Sequence, residues 1–245
     1  MTTHLSVITG ASRGLGLAMA EQLQREGHRL LTISRKRADT LPASVVQWTL
    51  DLADPVSVAT QLQAWLEAQD NTTLASVTLI NNAGMVSTPA PLGDSNMAEL
   101  SRALRVGVEA PLLLTAAFLR ATAAWRVPRK VLLISSGLGR MAMAGSASYC
   151  AAKAGMDHLA RAVALEEAAR DNGAHIVSLA PGVIDTDMQT QLRSADAALF
   201  PERQRFVGLK DGGQLDTPAE AATKVLRYLA RADFGANPVA DVRDA

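Results

Sequence analysis

Short runs of aliphatic and β-branched residues alternate along the chain with longer segments rich in alanine, leucine and glutamate. Most of the short runs are apolar at every position, which is typical of strands that are buried on both faces. The predicted strands cover residues 5–9, 29–34, 45–50, 77–81, 130–135 and 175–180, with a weak seventh near 238–242. The predicted helices cover residues 15–26, 55–69, 96–105, 110–124, 148–172 and 218–231. Because strands that alternate with helices form parallel sheets with right-handed crossovers, the pattern predicts a single α/β domain over residues 1–245. Its doubly wound parallel sheet is expected to have seven strands, flanked by helices.

The composition argues against several classes of protein. The chain carries 24 lysine and arginine residues and 24 aspartate and glutamate residues, so a dedicated nucleic-acid binder is not expected. Its apolar runs are too short to span a bilayer, and its first residues lack the pattern of a secretory signal. The single cysteine, Cys150, fits a reducing compartment. We therefore expect a cytoplasmic protein with no metal site and no membrane partner.

A glycine-rich turn follows the first predicted strand and opens the first predicted helix. It reads Thr9-Gly10-Ala11-Ser12-Arg13-Gly14-Leu15-Gly16. Glycines at this place allow a tight turn and let backbone N–H groups approach a pyrophosphate at the positive end of a helix. The alternative is a tight turn without a ligand, but the position directly after strand one favours a cofactor site.

The end of the second predicted strand bears on the choice of cofactor. A nucleotide-binding fold that prefers NAD usually places an acid there to hold the ribose 2′-hydroxyl. This chain has Ser34-Arg35-Lys36-Arg37 instead, with no acid before Asp39. Arg13 and Arg35 are predicted to converge on a 2′-phosphate, because a guanidinium binds phosphate in a bidentate manner. We therefore predict NADP(H), and we expect Lys36 and Arg37 to face solvent.

Three side chains form a predicted proton-transfer site. Tyr149 and Lys153 stand at i and i+4 on a predicted helix and so share one face. Ser136 follows the fifth strand at the sheet edge where ligands bind in such folds. We expect the Lys153 ammonium, the cationic ring of an oxidised nicotinamide and the dipole of the helix N-terminus to lower the pKa of Tyr149 from about 10 toward neutrality. The tyrosine could then exchange a proton with a carbonyl or alcohol oxygen.

These motifs together resemble the short-chain dehydrogenase/reductase family. The resemblance is carried by the glycine-rich turn, by Asn81-Asn82-Ala83-Gly84, by Ser136, Tyr149 and Lys153, and by Pro181-Gly182 followed by Thr186. All of them stand in the order and spacing of the family, across essentially the whole chain. The resemblance implies a Rossmann fold, a nicotinamide cofactor and oxidoreductase activity.

The resemblance also implies roles for individual residues. Tyr149 matches the general acid/base, Ser136 the residue that orients the substrate carbonyl, and Lys153 the residue that binds the nicotinamide ribose. Asn81 and Gly84 match positions that line the adenosine side and support the fourth strand. The full set of implied cofactor-binding residues is Gly10, Ser12, Arg13, Gly14, Leu15, Gly16, Arg35, Asp51, Leu52, Asn82, Ala83, Gly84, Tyr149, Lys153, Pro181, Gly182, Val183 and Thr186.

The chain departs from the family pattern at Gly107. The segment Val106-Gly107-Val108-Glu109-Ala110-Pro111 has glycine where the family commonly has an asparagine that kinks the helix and holds a water in the relay to the lysine. Glycine tolerates a kink and is expected to leave space for a second water. Three interpretations remain open: a water-mediated relay, a shifted alignment, or reduced turnover. We favour an active enzyme, because Ser136, Tyr149 and Lys153 are intact.

The residues around the proton-transfer site resemble one branch of the family in more detail. Segments 135–140, 149–156 and 181–189 resemble the sepiapterin reductase and benzil reductase branch, whose members reduce one carbonyl of a vicinal diketone with NADPH. Asp185 or Asp187 would suit a polar substrate such as a pterin, although helix capping is the favoured interpretation of Asp187. An apolar, aromatic-poor wall favours an apolar ketone or diketone. The predicted wall residues are Leu138, Met141, Met143, Val183, Met188 and Phe200.

The expected function is therefore NADPH-dependent carbonyl reduction, with Tyr149 as the proton donor. The alternatives are a 3-oxoacyl thioester reductase or general alcohol dehydrogenase of the same family, and a non-catalytic cofactor-binding regulator. Residues 189–216, which contain no predicted strand, are expected to form a substrate loop or lid. The apolar helices 110–124 and 148–172 predict a homodimer or homotetramer, with burial against the sheet as the other interpretation.

Overall fold

The computed structural model describes residues 3–244. Its strands are β1 (Thr3–Thr9), β2 (Arg29–Ser34), β3 (Val46–Thr49), β4 (Leu74–Asn81), β5 (Arg129–Ile134), β6 (His175–Ala180) and β7 (Val239–Asp241). They form one 7-stranded parallel sheet in the order β3-β2-β1-β4-β5-β6-β7. The predicted α/β class and doubly wound sheet are confirmed. Each predicted strand is present, although β3 and β7 are shorter than predicted.

Helices flank the sheet on both faces. They are α1 (Gly14–Arg25), α2 (Pro55–Glu67), α3 (Met97–Leu104), α4 (Ala110–Ala121), α5 (Ala147–Ala168), α6 (Asp187–Arg193), α7 (Arg203–Asp211) and α8 (Pro218–Leu229). The first five and the last lie where helices are predicted, but α5 ends at Ala168 rather than at residue 172. Within residues 3–244, each helix is too short or too polar to cross a bilayer.

The continuous apolar character of the strands follows from burial on both faces. Adjacent residues of one strand point to opposite sides, so Leu79 packs with α2, α4 and α5, whereas Ile80 packs with α1 and α8. Both side chains have no exposed surface. The two helical layers thus give the sheet two separate apolar interfaces.

The order of the strands creates a crevice at the carboxyl end of the sheet. From β1 the chain crosses to β2 on one side, and β4 pairs with β1 on the other. Ligands bind at such a reversal of strand order in doubly wound folds. The glycine-rich turn after β1 and the segments after β4, β5 and β6 all meet at this edge.

The predicted lid region is folded into a small helical layer. Residues 189–216 hold most of α6 and the whole of α7, whose apolar side chains pack together around Leu192, Phe200 and Phe206. An isolated parallel bridge pairs Asp216 with Ile184 and returns the chain to the sheet edge. The layer covers one side of the crevice.

Candidate active site

A cleft of about 1190 Å³ runs along the carboxyl edge of the sheet. Every residue predicted to bind the cofactor lines it, and so do Ser136, Tyr149 and Lys153. Five predicted wall residues line it as well: Leu138, Met141, Met143, Val183 and Met188. The fold therefore gathers these predicted residues, from seven separate segments between residues 10 and 188, around one space.

The glycine-rich turn is held tightly against the end of β4. Gly10 has φ 70° and packs so closely that a Cβ there would lie 2.9 Å from Ala83 Cα. Asn82 Nδ2 donates to the carbonyl oxygens of Thr9 and Gly10, at 3.0 and 3.2 Å. A Cβ on Gly16 would overlap the Gly10 carbonyl oxygen. The turn thus has the close backbone packing that a pyrophosphate cradle requires.

The two arginines predicted to bind the 2′-phosphate, Arg13 and Arg35, have different surroundings in the cleft. Arg35 is exposed after β2 and lines the cleft. Arg13 instead pairs through Nη1 with Asp187 Oδ2 at 2.6 Å, across the cleft from the glycine-rich turn to α6. The favoured capping role for Asp187 is wrong, because Thr186 occupies the N-cap position of α6 and Asp187 lies inside the first turn. Asp187 serves as the partner of Arg13.

Ser34, at the end of β2, is a cleft residue that sequence reasoning did not single out. Its Oγ is buried and has no hydrogen-bond partner within residues 3–244. An unpaired buried hydroxyl is costly unless a ligand or water satisfies it. Beside Arg35, it fits the ribose and phosphate end of a dinucleotide.

Asp51 is a cleft residue whose carboxylate is partly used inside the protein. It accepts from the Ala53 backbone N–H at 3.0 Å and from Arg102 Nη2 at 2.5 Å. The backbone hydrogen bond is the main reason why the pKa of Asp51 lies below its usual value, and Arg102 adds to the effect. Asn81, in contrast, turns inward and donates to Thr115 Oγ1 at 3.3 Å, and the cleft does not include it. The expectation that Asn81 lines the adenosine side is therefore wrong.

The three predicted catalytic side chains meet where β5 ends and α5 begins. Ser136 Oγ accepts from the Leu138 N–H at 3.2 Å, and the Ser136 side chain is close enough to Tyr149 to act on the pKa of its hydroxyl. Lys153 Nζ lies 5.5 Å from the centroid of the Tyr149 ring and donates to the Ile134 carbonyl oxygen at 2.7 Å. The arrangement places two hydroxyl groups side by side on the cleft, with a buried amine behind them.

The electrostatics of this group differ from the expectation. Burial raises the pKa of Tyr149 to about 12, although the Ser136 hydroxyl acts in the opposite direction. Burial lowers the pKa of Lys153 to about 8, while the Asp157 carboxylate acts against that fall. The predicted lowering of the tyrosine pKa by Lys153 is therefore wrong. The Lys153 amine contacts the ring and the Ile134 carbonyl oxygen, and burial, which disfavours the charged phenolate, decides the direction of the Tyr149 shift.

The buried carboxylate of Asp157 hydrogen-bonds with residues that surround the three predicted catalytic side chains. Asp157 lies one turn after Lys153 on α5 and is 1% exposed. Its Oδ1 accepts from Ser135 Oγ at 2.6 Å and from Ser178 Oγ at 2.7 Å, and its Oδ2 accepts from Arg140 Nε at 3.2 Å. Through its hydrogen bond to Asp157, Ser135 anchors the end of β5 to α5, one residue before Ser136.

Comparison with known proteins decides the family. The family model described as short chain dehydrogenase matches residues 5–197. The chain belongs to the short-chain dehydrogenase family. A benzil reductase ((S)-benzoin forming) of Bacillus cereus is 33% identical over 235 residues, which cover 93% of this chain and 94% of the relative. The sepiapterin reductase of Meriones unguiculatus is 31% identical over 256 residues, which cover 97% and 95%.

A solved structure agrees with this assignment. The crystal structure of a short-chain dehydrogenase/reductase from Burkholderia vietnamiensis is 36% identical to this chain and has a TM-score of 0.64. The match covers 98% of this chain and 97% of the other. The predicted family is confirmed, and so is the similarity to the benzil and sepiapterin reductase branch. Members of the family are oxidoreductases that use a nicotinamide cofactor.

In this short-chain dehydrogenase the helix is irregular at Gly107, as expected. The space that was expected there for a second water is absent on the side that faces Ala152. The segment Arg105–Glu109 is π-helical and joins α3 to α4. A π-bulge of this kind bends a helix without asparagine or proline. A Cβ on Gly107 would lie 2.9 Å from Ala152 Cβ, one residue before Lys153. The expectation of room for a second water is wrong on this side, because α5 fills the space.

Replacing Gly107 with asparagine is therefore expected to lower the free energy of unfolding by about 1–3 kcal/mol, since the new side chain overpacks against Ala152. Adding Ala152→Gly should recover much of the loss. Gly208→Ala in α7 is the control, because a Cβ there meets nothing within 4 Å and should stabilise the helix by up to about 1 kcal/mol. Denaturant unfolding measures all four proteins, and an unchanged Gly107→Asn variant would contradict the close contact.

The part of the cleft that is predicted to take the substrate is lined by flexible apolar side chains. Its methionines are Met85, Met141, Met143 and Met188, of which Met85 was not predicted. Phe200 is wrong as a wall residue: it has no exposed surface, stacks on Phe206 and lies behind the wall. The side chains that take its place in the cleft, from α6 and α7, are Gln189, Leu192, Phe206 and Leu209.

Proposed function

We propose that this short-chain dehydrogenase is an NADPH-dependent reductase of ketones, with vicinal diketones as its preferred class. The observation that carries the proposal is that Ser136 and Tyr149 line the same cleft as the apolar side chains, where burial raises the pKa of Tyr149 and so favours its protonated form. A reductase needs a group that has a proton to give at neutral pH. A tyrosine whose pKa is raised to about 12 keeps that proton until the substrate oxygen becomes basic.

Ser136, Tyr149 and Lys153 have separate roles in the proposed reduction. Ser136 Oγ accepts from Leu138, so its own hydrogen is available to donate to the substrate carbonyl oxygen. When bound, a reduced nicotinamide supplies the hydride that attacks the carbonyl carbon. Tyr149 donates its proton to the oxygen, and an alcohol forms. Lys153 lies behind the ring, where its positive charge stabilises the phenolate that remains.

NADPH is proposed over NADH because of the end of β2. Ser34 and Arg35 stand there in place of an acid, and the Ser34 hydroxyl lacks a partner within residues 3–244. A hydroxyl and a guanidinium suit the 2′-phosphate, which an acid would repel. Arg13 can join them only by leaving Asp187, so Arg35 carries more of the proposed selectivity.

The test measures oxidation of NADPH and of NADH with benzil, sepiapterin and an acetoacetyl thioester. We expect the diketone with NADPH to give the highest kcat/KM. Arg35→Ala should raise the KM for NADPH by about tenfold, the worth of one charged hydrogen bond, and leave that for NADH nearly unchanged. Arg25→Ala is the matched control, because Arg25 is exposed at the end of α1 and outside the cleft.

Three outcomes would count against the proposal. A higher kcat/KM with the thioester would favour the 3-oxoacyl thioester reductase. Equal use of NADH and NADPH would contradict the cofactor assignment. Tight NADPH binding without turnover of any carbonyl would favour a cofactor-binding regulator.

Leu112 on α4 and Leu165 on α5 are exposed, which supports the proposal that these two helices form the interface of a homodimer or homotetramer.

A further inference from the structure

The side-chain amide of Gln189 is a polar group that the proposed reaction does not yet use. Gln189 lies in the first turn of α6, is 8% exposed and lines the cleft. Its Oε1 is buried and has no hydrogen-bond partner within residues 3–244. Leaving a buried amide unpaired is unfavourable, and native structures rarely do so without a ligand or water. The amide is therefore placed to bind something that enters the cleft.

The charged neighbours of Gln189 on the cleft already have partners. Asp187 pairs with Arg13 at 2.6 Å, and Asp185 pairs with Lys210 at 2.5 Å. Arg205 Nη1 lies 3.8 Å from Glu202 Oε2. The polar group that remains for a ligand on this wall is neutral. A neutral ligand thus fits better than an anion or a cation.

The rest of the wall is apolar. Met143, Met188, Leu192 and Phe206 pack in one cluster and line the cleft beside the amide. Such a surface suits hydrocarbon or aryl groups, and methionines adapt to their shape. The ligand that matches it is an apolar molecule with two polar atoms: one for Ser136 and Tyr149, and one for Gln189.

We propose that the Gln189 amide donates a hydrogen bond to the second carbonyl of a vicinal diketone, whose first carbonyl is held by Ser136 and Tyr149. This inference rests on the proposed function and names the residue that selects diketones. A half-turn of the amide exchanges Oε1 and Nε2 at the same place, so the group can donate to a carbonyl oxygen.

The proposed reaction adds one hydride and one proton to one of the two carbonyls. One carbonyl carbon gains the hydride from NADPH, which becomes NADP⁺, and its oxygen gains the proton of Tyr149. The product is an α-hydroxyketone. The second carbonyl stays hydrogen-bonded to Gln189 and is not reduced in that binding event.

The experiment compares two substrates that differ in the second carbonyl alone. Benzil has both carbonyls, and deoxybenzoin (1,2-diphenylethanone) has one. Gln189→Met removes the hydrogen-bonding group while keeping length and flexibility. Gln189→Glu keeps the shape but presents a carboxylate that repels a carbonyl oxygen. The matched control is Gln191→Met, which changes an exposed glutamine of the same helix.

We expect Gln189→Met to lower kcat/KM for benzil by about tenfold, the worth of one hydrogen bond, and to leave that for deoxybenzoin within about twofold. Gln189→Glu should lower the benzil value further. The Kd for NADPH should stay unchanged in all three variants. The melting temperature of Gln189→Met should not fall, because the buried amide oxygen that it removes has no partner within residues 3–244.

The outcomes separate this inference from the function on which it rests. If the wild-type enzyme reduces neither ketone, the proposed function and the inference both fail. If the wild type reduces benzil but Gln189→Met loses the same factor for both ketones, or for neither, the inference alone fails. A raised Kd for NADPH would assign the amide to the cofactor, and a lower melting temperature would assign it to the fold. Either result would overturn the inference.

Discussion

Replacing Tyr149 with phenylalanine is expected to lower kcat for carbonyl reduction by a factor of about 10³, because the substrate oxygen loses its proton donor. The ring remains in place, and Ser136 and Lys153 keep their backbone positions, so the Kd for NADPH should change by less than about twofold. Stopped-flow or steady-state oxidation of NADPH gives the rate, and fluorescence titration gives the Kd. Near-normal turnover in this variant would remove Tyr149 from the mechanism.

The chain offers a matched control for this variant in its second tyrosine. Tyr228 lies in α8 on the opposite layer and does not line the cleft. Tyr228→Phe is therefore expected to leave kcat within about twofold of the wild type. A large loss in both variants would show that the assay reports general damage to the protein.

The pH dependence of the reduction provides a second readout of the same site. With a pKa of about 12, Tyr149 keeps its proton through the neutral range, so it does not itself limit the rate there. Lys153 has a pKa of about 8, so its positive charge is present below that pH and is lost above it. Because the charge stabilises the phenolate formed in the reaction, the rate should fall as the pH rises through about 8. In Lys153→Met this step should be absent, and the rate should be low throughout.

The parts of the fold that were predicted from sequence depend on local chemistry. Strands buried on both faces, such as the one ending at Ile134, lose the alternating pattern and can be recognised from their apolar runs. Gly10 and Gly14 have φ of 70° and 55°, a region that favours glycine, so the turn is readable from their spacing. Tyr149 and Lys153 share a helix face at i and i+4 wherever that helix lies.

The parts that could not be predicted depend on contacts between distant segments. Asp187 is 174 residues from Arg13, and no local pattern joins them. Phe200 is packed beneath Gly145, where a Cβ would lie 2.8 Å from its ring. The unpaired oxygen of Gln189 becomes informative only when its burial is known. The direction in which the pKa of Tyr149 shifts likewise depends on burial. The presence of Lys153 four residues later in the sequence does not reveal that burial.

Asp157 is the second position where a large effect is expected, this time on stability. Asp157→Ala removes the shared acceptor of Ser135 and Ser178 and the buried partner of Arg140. The buried hydroxyls of Ser135 and Ser178 would each lose their acceptor, at about 1–3 kcal/mol per unpaired group, so we expect a total cost of about 3 kcal/mol or more. We expect the melting temperature to fall by about 6–12 °C for a chain of this size.

Two further variants separate the carboxylate from the helix that carries it. Asp157→Asn keeps an oxygen for both serines but turns an N–H₂ toward Arg140, so its loss should be intermediate. Glu166→Ala changes an exposed acid on the same helix and should leave the melting temperature nearly unchanged. Equal melting temperatures for Asp157→Ala and Glu166→Ala would contradict a structural role for the buried network.

The same carboxylate should also be visible in the pH profile of the reaction. Asp157 favours the charged form of Lys153, so its removal should lower the pKa of Lys153 below about 8. The fall in reduction rate should then begin at a lower pH in Asp157→Asn, even at temperatures where this variant is fully folded. A stability loss without that shift would mean that Asp157 holds β5 and α5 together but does not set the charge of Lys153. A shift in the predicted direction would tie the buried network to the proton-transfer site, through a residue that touches neither substrate nor cofactor.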